Sequence, residues 1–591
     1  MKRIENIIYA ISLLFLASIW QSCVFLEPEI DNTRDESILD ETAYFCGPLN
    51  KVYDNLPTLF DYDMDIMTDN AVRRVVSGEY SRCALGALSP NMNPLNNWTS
   101  AYSNIRYLNI FMSRMVLNDD TSYKTPVRFF PLTSEEEIAN NIRMFWRLKG
   151  EAYALRAFWM TELLRNFGGM SEDGRILGVP IVGDSILDLS DDLNLPRATF
   201  DECIEAIVTD CDSAVIACRL PDLYHGTDVV FGSSFRDHIS GAAAKAIKAR
   251  ALLYAASPAF NPNGDISKWE RAAKAAAEAI KALGGVKAEF STRDEYYFTQ
   301  LSNKDWKKSD VIMRGRVSTG NRTFESDNYP MLLYGSALLN VSQNLVDAFT
   351  DKKGYPIHES TDYDKTRPYE ERDSRLNLFV GYHGSSVGKD YKLDVSEGGP
   401  DAYDPLTRSS RSGYYLKKLL RMSVVLTPGQ TTGTPRANIL YGLPELLLNF
   451  AEAANMAWGV TGDPEGYGFT AKDALTRILT RDNAKSGATY LNVVIGGDSE
   501  AFNRYVRLQR RVELCFEGHY YYDLRRWHAA DQNWENAINV PVYGVKVTKT
   551  NDGETYDFDN ELEKRLFKSP YQPIPYSEVF NAGLVQNKGW N

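Results

Sequence analysis

Two alanine-rich segments, residues 243–251 and 269–280, place the strongest constraint on the fold of this chain. In both segments apolar residues recur three and four positions apart, which is the spacing of one face of an α-helix. A Ser-Pro and Asn-Gly turn separates them, so the sequence predicts two helices packed antiparallel as a hairpin. The residues that carry the pattern are Ala243, Ala244, Ile247 and Ala251, followed by Trp269, Ala272, Ala273, Ala276 and Ile280.

Further segments predict more helices of the same kind. A long apolar stripe from Phe145 to Leu163 precedes the stop at Gly168-Gly169, and Thr199 with Glu202 has the spacing of a capping box at the start of a helix over 199–219. The same patterns predict helices over 443–458, 471–483 and 503–528. Paired helices of this size resemble tetratricopeptide units. The predicted fold class is therefore mostly α, with tetratricopeptide-like hairpins forming a single scaffold.

Two regions lack a helical period and are rich in turn-forming residues. Residues 286–438 contain short alternating segments, such as 311–313 and 414–416, which predict small strands between loops. Residues 73–97 are polar and punctuated by Gly and Pro, and we expect no helix there. Long irregular stretches in a compact protein tend to carry function, so we expect the binding face in these loops and small β elements.

Composition limits the class of ligand. The 591 residues are 44% hydrophobic and 24% charged, which is typical of a globular protein, and the net charge of −13 disfavours nucleic acid as a partner. The 34 tyrosines and 10 tryptophans supply flat amphipathic side chains for sugars, peptides or protein interfaces, although most are expected to fill the core. Trp98 and Trp269 lie on helical stripes and are predicted to be core residues.

The cysteines and histidines indicate no metal site and no cofactor. The seven cysteines are irregularly spaced, without a C-x-x-C pair, and the six histidines form no H-E-x-x-H motif. Cys211 and Cys218 lie seven apart on a predicted helix, and we interpret them as small buried residues instead of a disulfide.

The N-terminus has the layout of a bacterial lipoprotein signal. Lys2 and Arg3 precede an apolar run over 7–20, and Cys23 stands where a small-residue cleavage site is expected. The run is about 14 residues, shorter than the ~20 that a membrane-spanning helix needs. The sequence thus predicts a signal peptide over 1–22 and a mature chain held by acylated Cys23, with ordinary secretion as the alternative because Trp20 and Gln21 depart from the usual lipobox.

The densest cluster of charge lies in residues 510–527. Glu513 and Glu517 are four apart with His519 close by, an arrangement that an acid/base pair would need. Charges of both signs also recur at helical spacing here, as in His519 to Asp523 and Asp523 to Arg526. We favour a structural ion-pair network over a catalytic site.

Residues 384–388 spell the G-x-S-x-G motif of hydrolases around Ser386. That nucleophile elbow leads from a strand into a helix, whereas the residues after it, 389–393, carry no helical stripe. We interpret the segment as a glycine-rich surface loop. A hydrolase is the least favoured of the functions considered.

A series of motifs follows one order along nearly the whole chain. They are Cys23 with Phe25-Leu26; Trp98, Tyr102, Ile105 and Asn109; residues 151–158 and 165–169; residues 244–255; residues 372–376; residues 441–453; residues 513–527; and the tail from Pro573 to Asn587. In this order they resemble the SusD/RagB family of Bacteroidetes outer-membrane nutrient-binding lipoproteins. Two departures are Ser374, where the family usually has Pro, and Tyr520, where it usually has Arg.

The resemblance implies function, partner and location together. It implies a binding protein without catalytic activity. The protein would lie on the outer cell surface, attached to the outer membrane only through its lipid, and would deliver its ligand to a SusC-like TonB-dependent transporter. It also implies an N-terminal region over 23–240 and a C-terminal region over 241–591, which contains the loop-rich segment 286–438, all packed as one globular unit. The cargo expected from the family is a glycan or oligosaccharide; a peptide or another nutrient is the open alternative.

The resemblance also suggests which loops bind the ligand. The family places its ligand contacts in the loops after the first helix and in the middle region, where flat aromatic rings and polar side chains are expected to meet a sugar. In this chain the corresponding residues are Tyr80, Arg82, Asn91, Asn96, Trp306, Arg314, Asn321, Phe324, Tyr329 and Tyr334.

Overall fold

The structure is a computed structural model that describes residues 42–58, 62–118, 124–131, 133–188, 191, 194–299, 310–484, 487–551 and 553–590. Cys23 and the signal segment lie outside the described residues, and so does Trp306. None of the helices in the described ranges is long and apolar enough to cross a membrane.

Helices make up most of the regular structure, as predicted. The longest is α5, which has 33 residues. In chain order they are α1 Thr42–Phe45, α2 Gly47–Asp54, α3 Gly78–Ala84, α4 Trp98–Arg114, α5 Glu135–Phe167, α6 Phe200–Asp212, α7 Gly241–Ala256, α8 Ile266–Ala282, α9 Thr323–Asn328, α10 Gln343–Ala348, α11 Ser374–Phe379, α12 Leu443–Trp458, α13 Ala471–Leu479, α14 Ser499–Glu513, α15 Tyr520–His528, α16 Trp534–Ile538 and α17 Tyr576–Ala582.

The predicted alanine-lined hairpin is confirmed as α7 and α8. The two helices pack against each other along their small residues, and α8 then packs against α12. Ala243, Ala273 and Ala276 are almost fully buried at these contacts, because a methyl side chain allows two backbones to approach closely. Neighbouring helices stack in the order α4, α5, α6, α7, α8, α12 and α14. The scaffold is a tetratricopeptide-like stack with one continuous apolar core.

Helix ends were predicted correctly where the sequence contains a clear capping motif or a glycine stop. The Thr199 side chain accepts a hydrogen bond from the backbone N–H of Glu202, and the Glu202 carboxylate accepts one from the backbone N–H of Thr199, so the predicted capping box is present at α6. The helix predicted to end at Gly168 is α5, which ends at Phe167. Trp98 and Trp269 are buried in the core, and Cys211 and Cys218 are buried and unpaired, as predicted.

The single helix predicted over 503–528 is wrong, because the chain turns sharply between α14 and α15. Phe516 and Gly518 have positive φ angles of 62° and 76°, which a helix cannot contain. The turn is held by buried Asp65, whose Oδ2 accepts a hydrogen bond from the backbone N–H of Phe516 at 2.9 Å. A contact between residues 451 positions apart therefore ends α14, and local periodicity carries no signal of it.

Two smaller predictions are also wrong, one about the presence of a helix and one about where a helix ends. Residues 73–97, expected to lack a helix, contain α3, and the helix predicted over 471–483 ends at Leu479 before a separate 3-10 turn at Arg481–Asn483. Helix α3 packs against the 3-10 helix Tyr62–Met67, so tertiary contact supports a helix too short for its own sequence pattern to reveal.

The strands lie mainly between the helical hairpins, as expected, and form two-stranded antiparallel pairs within the described residues. The pair β1 and β6 brings the N-terminal region onto the middle region, with Val72 opposite Asn340. The strands are β1 Ala71–Arg73, β2 Gly169–Met170, β3 Ile176–Leu177, β4 Val311–Arg314, β5 Ser318–Asn321, β6 Leu339–Val341, β7 Val380–Gly381, β8 Ser386–Val387, β9 Tyr391–Lys392, β10 Tyr415–Leu416, β11 Thr434–Arg436, β12 Ile439–Gly442, β13 Pro541–Thr550 and β14 Gly553–Lys564.

Candidate functional site

The charged cluster of residues 510–527 is structural. Glu513 is fully buried, and its carboxylate lies 2.9 Å from Arg293, 3.1 Å from Arg375 and 3.2 Å from Arg481. Burial alone would raise the pKa of Glu513, but the three guanidinium groups outweigh burial and hold that pKa well below its usual range. A carboxylate that three cations keep ionised is unsuited to proton transfer, so the prediction of an ion-pair network is confirmed.

The other two carboxylates of the cluster, Glu517 and Asp523, are also paired with cations. Glu517 pairs with Lys418 at 2.6 Å. Asp523 pairs with Arg526 at 2.8 Å, as predicted, and with Arg510 at 3.0 Å in place of the expected His519. These ionic contacts join α14, α15 and the loops beside them into one packed unit.

Ser386 does not lie on a nucleophile elbow. It begins β8, and the chain continues through a turn into β9, so a hairpin stands where the hydrolase motif requires a helix. The nearby His383 is already occupied: its Nδ1 accepts from the backbone of Val395 at 3.2 Å, and its Nε2 lies 2.8 Å from Glu554. Neither ring nitrogen is free to activate the serine hydroxyl. Across the described ranges no His, Cys, Asp and Glu side chains gather into a group that could hold a metal ion.

Four short segments that connect helices and strands meet at one surface, which we call the loop face: Arg74–Gly78, Pro330–Ala337, Ser386–Tyr391 and Tyr403–Thr407. Arg74 joins three of them, since its Nε donates to the carbonyl of Ser336 at 3.2 Å and its Nη1 donates to that of Thr407 at 3.1 Å. The remaining segment, Ser386–Tyr391, packs on Pro330–Ala337 at Gly388, where an added Cβ would lie 2.9 Å from Leu333 Cδ1. The strand pair β1 and β6 fixes this arrangement from below.

The loop face presents two exposed aromatic rings. Tyr334 is 52% exposed and Tyr403 is 51% exposed, although tyrosine is more often partly or fully buried. Tyr334 has a left-handed backbone, with φ of 63°, which turns the loop sharply at this residue. Flat rings with a polar end are suited to the C–H faces and hydroxyl groups of sugars.

A polar cluster of Tyr62, Asp63, Arg73 and Asp327 adjoins the loop face. Arg73 contacts Asp63 at 3.2 Å, and its Nη1 donates to the carbonyl of Ser77 in the loop face at 3.4 Å. The Tyr62 hydroxyl donates to Asp327 at 3.3 Å. Burial raises the pKa of both Asp63 and Asp327, with Arg73 opposing the rise. Asp63 Oδ1 is buried and lacks a hydrogen-bond partner within the described residues.

Three of the predicted residues belong to this region. Tyr334 lies on the loop face itself. Tyr80 and Arg82 lie on α3, immediately after the first segment of the loop face, with Tyr80 half-buried. Arg82 is exposed, and its Nε donates to the carbonyl of Gly78 at 3.4 Å. Sequence reasoning missed Tyr403, Arg73, Arg74 and the acids of the polar cluster. Arg73, Arg74 and Asp327 lie within ten residues of a predicted site residue, whereas Asp63 and Tyr403 do not.

Three other predicted residues are buried. Phe324 packs edge-on against Tyr62, with ring centroids 4.4 Å apart, and so supports the polar cluster from inside. The Tyr329 hydroxyl donates to the carbonyl of Arg421 at 2.8 Å, and Arg314 pairs with Asp237. Because these side chains are at most 7% exposed, they cannot reach a ligand at the surface, and the proposed site does not include them.

The last described members of the predicted set lie apart from the loop face. Asn91 is exposed next to Pro90, whose carbonyl accepts from the backbone of Tyr576. Asn96 accepts from the backbone N–H of Trp98 at 3.1 Å and lines the entrance of an internal cavity. Asn321 lies in β5, paired with Thr434. The predicted set therefore marks several surfaces, of which one carries exposed aromatic rings.

The chain matches two family models, which together account for most of its length. Residues 297–590 match the model described as the SusD family, and residues 25–253 match the model described as starch-binding and associating with the outer membrane. No curated protein matches the chain.

Solved structures share the fold. A SusD-like protein from Bacteroides fragilis has a TM-score of 0.69 at 21% identity and covers 95% of this chain and 100% of its own. A SusD-like carbohydrate-binding protein from the same species has a TM-score of 0.68 at 18% identity, covering 94% and 100%. A laminarin-binding SusD-like protein has a TM-score of 0.55 at 19% identity, covering 93% and 100%. The two models match in the same order as the sequence landmarks, and the matched residues form the helical scaffold described above. The chain therefore belongs to the SusD/RagB family.

Proposed function

We propose that this protein captures a glycan at the outer cell surface and delivers it to a SusC-like TonB-dependent transporter, without altering the glycan chemically. The observation that carries the binding half of the proposal is the loop face, where exposed Tyr334 and Tyr403 stand beside a cluster of carboxylates and arginines. Sugars offer apolar C–H faces and a rim of hydroxyl groups, and this surface offers rings and hydrogen-bonding groups in the same neighbourhood.

A rigid scaffold below variable loops is suited to this task. The helical stack and the buried ion pairs hold the loop segments in place, so that little order has to be created when ligand binds. The loops can differ between relatives without disturbing the core beneath them. Two relatives by fold are described as carbohydrate-binding and laminarin-binding, which supports a glycan as the first ligand to test.

Removing either ring from the loop face should weaken glycan binding. Tyr334→Ala and Tyr403→Ala each delete one stacking surface, which we expect to reduce affinity by about tenfold, or ~1.4 kcal/mol. Isothermal titration against laminarin and starch fragments measures the change. The double variant should bind more weakly than either single one.

The matched control is Tyr576→Ala on α17, because Tyr576 is also 51% exposed but lies outside the loop face. It should leave glycan affinity unchanged. Equal losses in Tyr576→Ala and Tyr334→Ala would refute the assignment of the site. Binding of peptides but of no glycan, with the same dependence on Tyr334, would keep the surface and replace the cargo.

The transporter and the lipid anchor complete the proposal. Both follow from the family resemblance, in which the lipoprotein closes over a TonB-dependent barrel, and the matching model describes association with the outer membrane. Two or more acyl chains on Cys23 would hold the protein stably at the membrane, since each buried methylene contributes ~0.8 kcal/mol.

Replacing Cys23 should release the protein from the membrane. Cys23→Ala removes the sulfur that carries the lipid, and we expect the variant to be folded and recovered in the periplasm or medium without detergent. Fractionation of the producing cells measures its distribution, and Cys46→Ala, at a cysteine far from the signal, is the control that should stay with the membrane. A Cys23→Ala protein that still needs detergent for extraction would exclude this anchor.

A further inference from the structure

We propose that the protein has a second, internal binding site that accepts one neutral, polyhydroxylated molecule of the size of a single sugar unit. The site is a cavity of about 350 Å³ between α5, α7, β12 and the turn before α15, here called the central cavity. Asn55 and Asn96, both largely exposed, lie at its entrance. None of its lining residues belongs to the loop face, so the two sites are separate surfaces.

The charges around the central cavity are balanced in pairs. Glu162 contacts Arg165 at 2.6 Å, Arg250 contacts Glu445 at 2.6 Å, and Glu517 contacts Lys418 at 2.6 Å. Each lining charge therefore already has an opposite charge beside it. An ionic ligand would lose its hydration without gaining an unpaired counter-charge, so the wall favours a neutral molecule.

His519 provides the most specific feature of the wall. Burial lowers the pKa of its imidazole to about 3, so the ring is neutral at physiological pH. Its side chain retains some accessible surface and makes no hydrogen bond to any residue in the described ranges. A neutral imidazole offers one donor and one acceptor, and a hydroxyl group offers the same combination in return.

The rest of the wall suits the body of a sugar. Phe158, Trp159 and Tyr522 lie in the wall of the cavity. Trp159 Nε1 and Arg165 Nε are buried donors that have no acceptor within the described part of the chain, a state that polar groups seldom keep without a partner. The volume is at the lower end of the range for small-molecule sites, which fits one ring and excludes a polymer.

This inference is independent of the glycan site on the loop face, and its test keeps the two apart. Purified full-length protein is titrated calorimetrically with glucose, galactose, mannose and xylose, and crystals are soaked in any sugar that binds. We expect one of the four to bind with a stoichiometry of one and to appear in the central cavity next to His519. Water alone in the cavity of soaked crystals, or no binding of any of the four, would overturn the proposal.

The substitution that tests the mechanism is His519→Leu, which keeps the bulk of the side chain and removes both hydrogen-bonding atoms. We expect monosaccharide affinity to fall at least tenfold, since two hydrogen bonds of ~1 kcal/mol are lost. His528→Leu, at the other end of α15 and outside the cavity, should leave affinity unchanged. An equal loss in both variants, or none in His519→Leu, would contradict the assignment.

The loop-face variant Tyr334→Ala separates this site from the first one. If both proposals hold, Tyr334→Ala weakens binding of oligosaccharides and leaves monosaccharide binding in the cavity intact. His519→Leu then weakens monosaccharide binding and leaves oligosaccharide binding on the loop face intact. Loss of monosaccharide binding in Tyr334→Ala would place that ligand on the loop face and refute the internal site.

Discussion

Replacing Glu513 with glutamine should lower the free energy of unfolding by about 3 to 5 kcal/mol, which is a large part of the stability of an ordinary domain. Glu513 is the shared counter-ion of Arg293, Arg375 and Arg481, all of which are at most 3% exposed. A neutral amide of the same size removes the carboxylate that all three guanidinium groups share. Arg293 and Arg375 keep Asp482 and Asp373 as partners, whereas Arg481 loses the charge that compensates its desolvation. The three arginines come from different segments of the chain, so we expect the substitution to weaken the packing between these segments.

Glu500→Gln is the matched control, because Glu500 lies on the same helix, α14, and forms only an exposed contact with Arg504 at 3.8 Å. Its effect should be at most about 0.5 kcal/mol. Urea unfolding followed by circular dichroism measures both variants. A Glu513→Gln protein as stable as the Glu500→Gln protein would show that the buried network contributes little.

Acid should unfold the protein between about pH 4.5 and pH 2. Burial alone raises the pKa of Glu151, Glu445 and Glu452, but neighbouring cations outweigh it and lower each pKa to about 2. Because the folded pKa lies below the unfolded value near 4.3, the stabilisation is present above pH ~4.3 and is lost as the pH falls towards 2. Each of these carboxylates then contributes on the order of 3 kcal/mol at neutral pH, so their joint protonation removes about 9 kcal/mol, which is comparable with the stability of an ordinary domain.

Asp65 changes the stability with pH in the opposite direction to these three glutamates. Burial raises its pKa to about 7, so its ionisation destabilises the fold as the pH rises from ~4 towards 7. We therefore expect greatest stability near pH ~5 and a steep loss below pH ~4. Thermal melting across pH 2 to 8 checks this, and Glu452→Gln should flatten the acid side of the profile. A melting temperature that stays constant from pH 6 to pH 2.5 would contradict the assigned pKa directions.

Local patterns in the sequence predicted the helical scaffold because its signals are short-range. The stripe of α5, the capping box at Thr199 and the alanine pairs of α7 and α8 involve residues only three or four positions apart. The energetic reason for each element is contained in the element itself, and the fold class followed from the repetition of such elements.

The binding region was predicted less well for the opposite reason. Tyr62 meets Asp327 across 265 positions, and Arg74 meets Thr407 across 333 positions. No spacing rule connects such pairs, so the sequence identified Tyr80 and Tyr334 by residue type and missed Tyr403. It also included Phe324 and Tyr329, since an aromatic residue in a loop-rich segment looks the same whether its ring is exposed or buried.

The sequence by itself determined the helical hairpins, their alanine-lined contacts, the order of the family landmarks and the structural character of the Glu513 cluster. Only the tertiary structure decided where α14 ends, which loops share a face and that His519 borders a cavity. The division has a physical cause: helix periodicity and capping are set by residues within a few positions, whereas burial, ion pairing and cavities depend on segments hundreds of residues apart meeting in space.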